Sequence, residues 1–321
     1  MRKSFSMLTI GVVLMSLVLP AAAADFKVAF LFPGVINDGG FNSHGYKASE
    51  YVASELGVEV AYSELVGFTD CARVAADYAE AGYSFVWLHS GGWVGCALEL
   101  APQYPEVSFG VFTAGDIPDA PANMWRHDSK LHEIFYVTGA LAGLITQTDT
   151  VGFVGGMEFP QYTAGLAAYK QGVADYNADA EVVSVFTGDF NDATLGKEAA
   201  IAQIESGADL IVTPADLAVF GIIEAAEAAG DVWVIGMGSD QHSLSPNTVL
   251  TTMVIDYSMN ISNLVSKAMG GEVGGHDVVG VPTGTAFFTS FYGQLPADVK
   301  AVVDQLLADI TSGALTVAEE F

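Results

Sequence analysis

The stretch FKVAFLFPGVINDGGFNSHGY, residues 26–46, joins an apolar run to a turn that carries glycines, an acid, an amide and an aromatic ring. The run at 26–32 is typical of a buried strand, and the residues from 43 onward have the spacing of an amphipathic helix. Phe41 lies in the turn, where leaving its ring in water would forfeit roughly 1.5–3 kcal/mol of burial free energy. We therefore expect either the core or a ligand to cover this ring.

Outward from this stretch, strand-like and helix-like segments alternate in two successive series. Such alternation is typical of parallel sheets covered by helices, and the repeat predicts two α/β lobes. No linker rich in proline, glycine or serine separates the series, so several chain crossings are expected to join the lobes, the first near Trp125, His127 and Asp128. The predicted strands are 26–32, 59–63, 83–88, 107–112, 150–155, 181–186, 209–213, 232–236 and 249–255. The predicted helices are 43–56, 70–81, 94–103, 132–146, 161–176, 192–207, 216–229, 257–269 and 296–312.

Residues 1–24 have the pattern of a secretory signal peptide: two basic residues, an apolar segment at 7–19 and a final run of four alanines. A transmembrane anchor is the alternative, but the apolar segment is shorter than the ~20 residues that a span needs. Cleavage is expected after Ala24. No cysteine stands at that point, so no lipid anchor is expected, and the mature chain is predicted to be periplasmic.

The chain is strongly acidic. Of its eleven lysines and arginines, two lie in the first 24 residues, which contain none of the 38 acids, so the mature chain has nine basic side chains and a net charge of −29. This charge excludes nucleic acid and anionic membrane surfaces as partners. Solubility in a saline habitat explains the acidity, and an acidic docking surface is the alternative.

Cys71 and Cys96 are the two cysteines, and each lies where a predicted helix begins. Successive helices of a βαβ series can lie side by side with their N-termini at one edge of the sheet. A disulfide in an oxidising compartment is compatible with this placement, as are two free thiols. No histidine keeps a metal-ligand spacing with either cysteine.

The residues that suggest ligand binding follow the carboxyl ends of predicted strands, where open α/β sheets bind ligands. Mostly apolar sites with a few placed polar groups suit a flat ligand held between aromatic rings. For Phe41 and Phe220 the alternative is packing under their own loops, and for Asp38 it is capping a helix. His89 and Trp93 face either the cleft or the core of their lobe. The predicted ligand-binding set is Asp38, Phe41, Asn42, His89, Trp93, Thr113, Gly156, Met157, Phe220 and Asp240.

The sequence carries no motif that argues for catalysis or for a cofactor. The six histidines form no paired metal spacing, and no GxSxG, GxGxxG or phosphate-binding Walker A loop occurs. An exported nucleoside hydrolase using Asp38 and Asp240 is an alternative, but it would need a general acid or a metal cluster. We expect no enzyme activity, no cofactor and no metal.

Six segments together resemble one protein family, the basic membrane protein family of ABC-transporter solute-binding proteins, which includes the purine nucleoside receptors. They match its motifs in order and spacing over nearly all of the mature chain. The segments are NDGGFN (37–42), EIFYVTGALAG (133–143), VGFVGGMEFP (151–160), GDFNDATLGKEAA (188–200), SGADLIV (206–212) and VWVIGMGSDQ (232–241).

The resemblance implies a type I periplasmic binding protein fold, with two doubly wound parallel-sheet lobes joined by a three-segment hinge. It implies a purine nucleoside held between the lobes and delivered to an ABC permease by a monomeric protein. By position, Phe41 would stack on the base, Asn42 would hydrogen-bond its edge, Asp240 would lie near the sugar, and Phe220 would be a second ring. The expected lobes are 25–130 with 256–285, and 131–255 with 286–321.

Three positions depart from the family pattern. Thr113 stands where an acid is usual, Gly238 replaces a polar residue, and Ile255 occupies the place of a lysine. Each unpaired polar group of a buried ribose would cost about 1–3 kcal/mol. A free nucleobase or another small ring compound is therefore an alternative ligand, and a sensory module that presents its ligand to a membrane receptor is an alternative function.

Overall fold

A computed structural model of the chain describes residues 26–320, and the predicted signal peptide at 1–24 lies outside the described residues. Within that range no helix is both long and apolar enough to cross a membrane. The strands are β1 (Lys27–Leu31), β2 (Glu59–Ser63), β3 (Phe85–Leu88), β4 (Ser108–Thr113), β5 (Met124–Ser129), β6 (Thr150–Gly155), β7 (Glu181–Phe186), β8 (Leu210–Val212), β9 (Trp233–Met237), β10 (Val249–Ile255), β11 (Gly275–Val279) and β12 (Ala286–Phe288). The helices are α1 (Phe41–Leu56), α2 (Cys71–Glu80), α3 (Val94–Leu100), α4 (Leu131–Ile145), α5 (Pro160–Tyr176), α6 (Ala193–Glu205), α7 (Val219–Ala229), α8 (Ser258–Met269) and α9 (Ala297–Ser312).

The strands form two six-stranded sheets with the same order. The first is β11-β5-β4-β3-β1-β2 and the second is β12-β10-β9-β8-β6-β7. All neighbours pair in parallel except β10 and β12, which are antiparallel. The strand order reverses between β1 and β3 and again between β6 and β8, and such switch points are where open α/β sheets bind ligands. The prediction of two doubly wound lobes is thus confirmed.

The chain passes between the sheets three times: from β5 to α4, from β10 to α8, and from β11 to β12. Trp125, His127 and Asp128, which were expected at the first crossing, lie instead in β5. Their side chains are buried, and the strand pairs on both sides, with β4 and with β11.

The hydrophobic core runs through both lobes. One cluster joins Phe30 and Trp87 of the first sheet to Phe135 of α4 and Phe153 of the second sheet. A separate cluster lies under α2 and α3. Helix α4 packs against α5 closely enough that a Cβ atom at Gly139 would lie 2.1 Å from the carbonyl oxygen of Tyr169. This shared core holds the two switch points opposite each other.

Candidate functional site: the cleft between the lobes

A cavity of about 300 Å³ lies between the lobes at their switch points. Loops after β1, β2 and β3 supply one wall, and loops after β6, β7 and β8 supply the other. Of the predicted ligand-binding set, Phe41, Asn42 and Met157 line it. The remaining lining residues are Pro33, Gly34, Phe68, Ser90, Gly91, Phe159, Gln161, Tyr162, Gly188, Asp189, Phe190, Asn191 and Asp216.

Phe41 is held from behind by His89. Their rings stack with centroids 4.1 Å apart and planes 26° apart. The indole N–H of Trp87 donates to His89 Nδ1 at 3.0 Å, so Nδ1 is an acceptor and Nε2 carries the proton, which it donates to the Phe41 carbonyl at 3.0 Å. Burial lowers the pKa of His89 to about 3, so the imidazole is neutral at neutral pH. His89 therefore supports the ring from the lobe core, while Phe41 itself lines the cavity.

Asp38 fixes the start of α1. Its carboxylate accepts hydrogen bonds from the backbone N–H groups of Gly40, Asn42 and Ser43 and from both neighbouring side chains, the Asn42 amide at 2.7 Å and the Ser43 hydroxyl at 2.8 Å. The Asn42 oxygen accepts from the Gly34 N–H. Asp38 is buried and does not line the cavity, so the structure supports the capping alternative for this residue.

Direct contacts close the two lobes on each other beside Phe41. Its N–H donates to Asp216 Oδ1 at 3.1 Å, and the Ser239 N–H donates to the Gly39 carbonyl at 3.2 Å. A Cβ atom at Gly238, whose φ is +113°, would lie 2.9 Å from the Cα of Gly40. Glycine at 238 thus permits an approach between backbones that a side chain would block.

Asp216 has an unusual environment for a carboxyl group. Desolvation, and then the charge of Asp38, raise its pKa to about 7, against the opposing effect of the Phe41 N–H. Its Oδ2 atom accepts no hydrogen bond from the residues that the structure describes. This oxygen is therefore available to a ligand.

A row of aromatic rings forms the outer wall of the cavity. Phe68 of the first lobe meets Phe159 of the second edge to face, with centroids 5.9 Å apart, and Phe190 continues the row towards Tyr162. Gly156 does not line the cavity; a Cβ atom there would lie 2.1 Å from the Phe190 ring. Its role in this structure is to make room for that ring.

A second, much smaller space adjoins the other side of Phe41. It measures about 20 Å³ and is lined by Gly238, Ile255 and Tyr257 among others. A single water needs roughly 10–15 Å³, so this space is too small for a sugar ring. Two of the three departures from the family pattern, Gly238 and Ile255, thus lie where the cleft is filled by protein.

Four further members of the predicted set do not line the cavity. His89 and Trp93 are buried in the first lobe, Trp93 with its ring against Phe68. Thr113 is buried at the end of β4. Phe220, the second ring expected from the sequence, is 45% exposed at the start of α7 and does not line the cavity.

Asp240 lies on the surface, away from the cavity. Its carboxylate accepts hydrogen bonds from the Tyr292 hydroxyl and from the backbone N–H of His242. The position near a sugar that the resemblance implied for Asp240 is therefore not seen in this closed form. The second-lobe rings that line the cavity are Phe159, Tyr162 and Phe190.

The predicted ligand-binding set lacks four aromatic residues that line the cavity: Phe68, Phe159, Tyr162 and Phe190. Phe68 and Phe190 follow β2 and β7, and their place beside the switch points depends on strand order, which sequence alone does not give. Phe159 is the last aromatic residue of the motif at 151–160, so its position was a usable signal.

The two cysteines are joined in a disulfide, with Cα atoms 6.3 Å apart. Cys71 begins α2 and Cys96 lies in the first turn of α3. The loops just before these helices carry Phe68 and Gly91 into the cavity wall. The bond therefore ties together two segments of that wall.

A family model described as ABC transporter substrate-binding protein, PnrA-like, matches residues 26–310. The chain belongs to this family. It is a substrate-binding protein of the ABC transporter class, as the resemblance predicted.

Individual relatives agree with this placement. The chain is 24% identical over 296 residues to basic membrane protein A2 of Borrelia garinii subsp. bavariensis, covering 91% of this chain and 88% of the relative. It is 25% identical over 298 residues to a purine-binding protein of Brucella abortus, covering 92% and 83%. The structure superposes on an ABC transporter solute-binding protein from Aeropyrum pernix with a TM-score of 0.81 at 22% identity, covering 92% and 94%. The type I periplasmic binding protein fold is thereby confirmed.

Proposed function

We propose that this protein captures a purine, as nucleobase or nucleoside, in the cavity between its lobes and delivers it to the permease of an ABC importer. The observation that carries the proposal is the cavity of about 300 Å³ at the paired switch points, with the Phe41 ring in its wall. That volume is at the lower end of the range for small-molecule sites. A purine-binding relative of similar length supports the choice of ligand.

Among purines, the geometry favours a free base. Phe41 is firmly supported by His89, and Gln161, Tyr162 and Asn191 bring side-chain polar groups that make no hydrogen bond to residues 26–320. These groups are available to the polar edge of a base. The small space beside Gly238 and Ile255 offers no room for ribose.

Capture follows from motion at the three crossings. The lobes open to admit the ligand and close on it, so that the liganded population shifts towards the closed form that the permease recognises. The protein performs no chemistry in this scheme. Residues 1–24 direct it to the periplasm, and it works there as a monomer.

Isothermal titration and thermal unfolding of the mature chain with adenine, hypoxanthine, adenosine and inosine test the proposal. A ligand at 100 times its Kd should stabilise the protein by about 2.7 kcal/mol. Phe41→Ala should weaken binding at least tenfold, because it removes the stacking ring and uncovers His89.

Phe220→Ala is the matched control, since it removes a ring of the same type outside the cavity and should leave the Kd unchanged. Binding of sugars or amino acids in place of every purine would contradict the proposal. Equal losses in the two variants would contradict the role of Phe41.

A further inference from the structure

The cavity combines aromatic rings with acidic groups and presents no basic side chain. Among residues 26–320, no lysine, arginine or histidine lines it, whereas Asp189 and Asp216 do. The net charge of the whole chain, −27, is negative like the side chains of these two acids. An anionic ligand entering this cavity would find repulsion and no partner for its charge.

Asp216 is the deeper of the two acids, since it is half-buried and Asp189 is exposed. Its Oδ1 accepts one hydrogen bond, from the Phe41 N–H, and no lysine, arginine or histidine within residues 26–320 forms an ion pair with it. Asp38 lies close enough to disfavour its ionised form. The two nearby histidines do not offset this, because burial lowers the pKa of both His44 and His89.

The aromatic rings around the two acids also favour a cationic ligand over a neutral or anionic one. Phe41, Phe159, Tyr162 and Phe190 surround the space with π systems, whose faces attract a cation within about 6 Å. Aromatic rings combined with a carboxylate are a known means of recognising positively charged nitrogen groups. A neutral ring would gain stacking alone.

We propose that the cavity selects its ligand by charge, taking a flat ring that carries an amidine-type edge and pairing that edge, as a cation, with Asp216. An amidine edge is a ring nitrogen or amidine nitrogen beside an amino group, and in its protonated form it presents two N–H donors to one carboxylate. Asp189, at the exposed mouth, attracts the same cation more weakly. The inference rests on the proposed function in taking this cavity as the ligand site, and it adds the charge class.

Benzamidine, benzamide and benzoate are the probes, because they share one ring and nearly one shape while carrying charges of +1, 0 and −1. Titration calorimetry of the mature protein near pH 8 should give benzamidine the lowest Kd, at least tenfold below that of benzamide. Benzoate should not bind measurably. Benzamide binding as tightly as benzamidine, or benzoate binding at all comparably, would overturn the inference.

Asp216→Asn keeps the size of the side chain and removes its charge. The variant should raise the Kd of benzamidine at least tenfold and leave the Kd of benzamide within about twofold of the wild-type value. Asp231→Asn, an exposed acid of the same lobe outside the cavity, is the matched control and should change neither Kd. An equal loss for both probes in Asp216→Asn would show that the residue acts only through structure, and would overturn the pairing.

The pH dependence provides a second readout. In the free protein Asp216 takes up a proton as the pH falls below about 7, so benzamidine affinity should fall several-fold from pH 8 to pH 6. Asp38, His44, Tyr162 and Tyr257 also face Asp216; the two tyrosine pKa values are raised by burial and that of His44 is lowered. Asp216→Asn should flatten the profile, and a profile that is unchanged in this variant would count against the inference.

Adenine and hypoxanthine separate this inference from the proposed function, because only adenine carries an amidine edge. If both purines bind equally and Asp216→Asn affects neither, the charge inference fails and the purine proposal stands. If neither purine binds while benzamidine outcompetes benzamide, the purine proposal fails and the charge inference stands.

Discussion

Asp38 and Asp216 lie at the switch points of two sheets with the same strand order, yet their surroundings are opposite. The Asp38 carboxylate accepts hydrogen bonds from three backbone and two side-chain donors of its own lobe. Asp216 accepts one, from the other lobe. The comparison shows that the first lobe uses its polar groups to fix the shape of the site. In the second lobe, Asp216 keeps one carboxylate oxygen available for a ligand.

The largest expected effect concerns His89, the buried support of the first lobe. Its pKa is about 3 in the folded protein and near 6.5 when unfolded, so the unfolded state binds a proton first as the pH falls. The free energy of unfolding should therefore decrease between pH 6.5 and pH 3, by roughly 4–5 kcal/mol over the whole window. Urea unfolding at pH 7, 5 and 4 measures this decrease.

His89→Gln is the comparison variant for that series. Glutamine can still donate to the Phe41 carbonyl but does not titrate, so the variant should lose stability at pH 7 and show a shallower pH dependence. His44 and His132, whose pKa values are also lowered, contribute to both proteins and cancel in the difference. Parallel curves for the two proteins would contradict this account of the first lobe.

The disulfide is the next test, because only the first lobe carries one. The bond spans 25 residues, and closing a loop of that size stabilises a protein by about 3 kcal/mol. The double variant Cys71→Ser with Cys96→Ser should lower the free energy of unfolding by about 3 kcal/mol. It should also weaken ligand binding, because the loops that carry Phe68 and Gly91 are no longer held together by the disulfide. Denaturant unfolding and calorimetry measure the two effects.

Reductant provides the control for that pair. Dithiothreitol should bring the wild-type protein to the stability of the double variant and leave the variant unchanged. If dithiothreitol leaves the free energy of unfolding of the wild-type protein unchanged, the disulfide does not stabilise the protein and this prediction is wrong.

The alternation of strands and helices could be predicted because apolar periodicity is local. Helix α1 ends at Leu56, the end of the predicted range 43–56, and Gly57 follows it with a left-handed φ of 65°. Strand β5 was missed because Arg126, His127 and Asp128 look like a polar loop. In the fold, Asp128 accepts from His276 of the neighbouring strand and from the Gly115 N–H, and these partners come from distant sequence.

The candidate site, like the fold, could be predicted from the sequence only in part. Phe41, Asn42 and Met157 were placed by the rule that ligands meet the carboxyl ends of strands. Thr113 and Phe220 satisfy the same rule and miss the cavity, because the rule does not say which strand ends lie beside the switch point. Phe68 and Phe190 reach the cavity from strands adjacent to it, through an order that only the folded sheets define.

The smallest and most direct test of the comparison is one substitution in each lobe. Asp38→Asn should destabilise the protein by about 2 kcal/mol, because an amide cannot accept from all the donors at the start of α1.

Asp216→Asn should stabilise the ligand-free protein at pH 8 by about 1 kcal/mol. A carboxyl whose pKa is raised from 3.8 to about 7 opposes folding increasingly as the pH rises from about 4, where the unfolded carboxyl ionises, and fully above about 7; contact with cavity water reduces the effect. Below pH 4 the stabilisation should vanish, since Asp216 is then protonated in both states. Thermal unfolding at pH 8 and pH 4 measures both variants. Two losses of equal sign would show that Asp216, like Asp38, serves the fold and not the ligand.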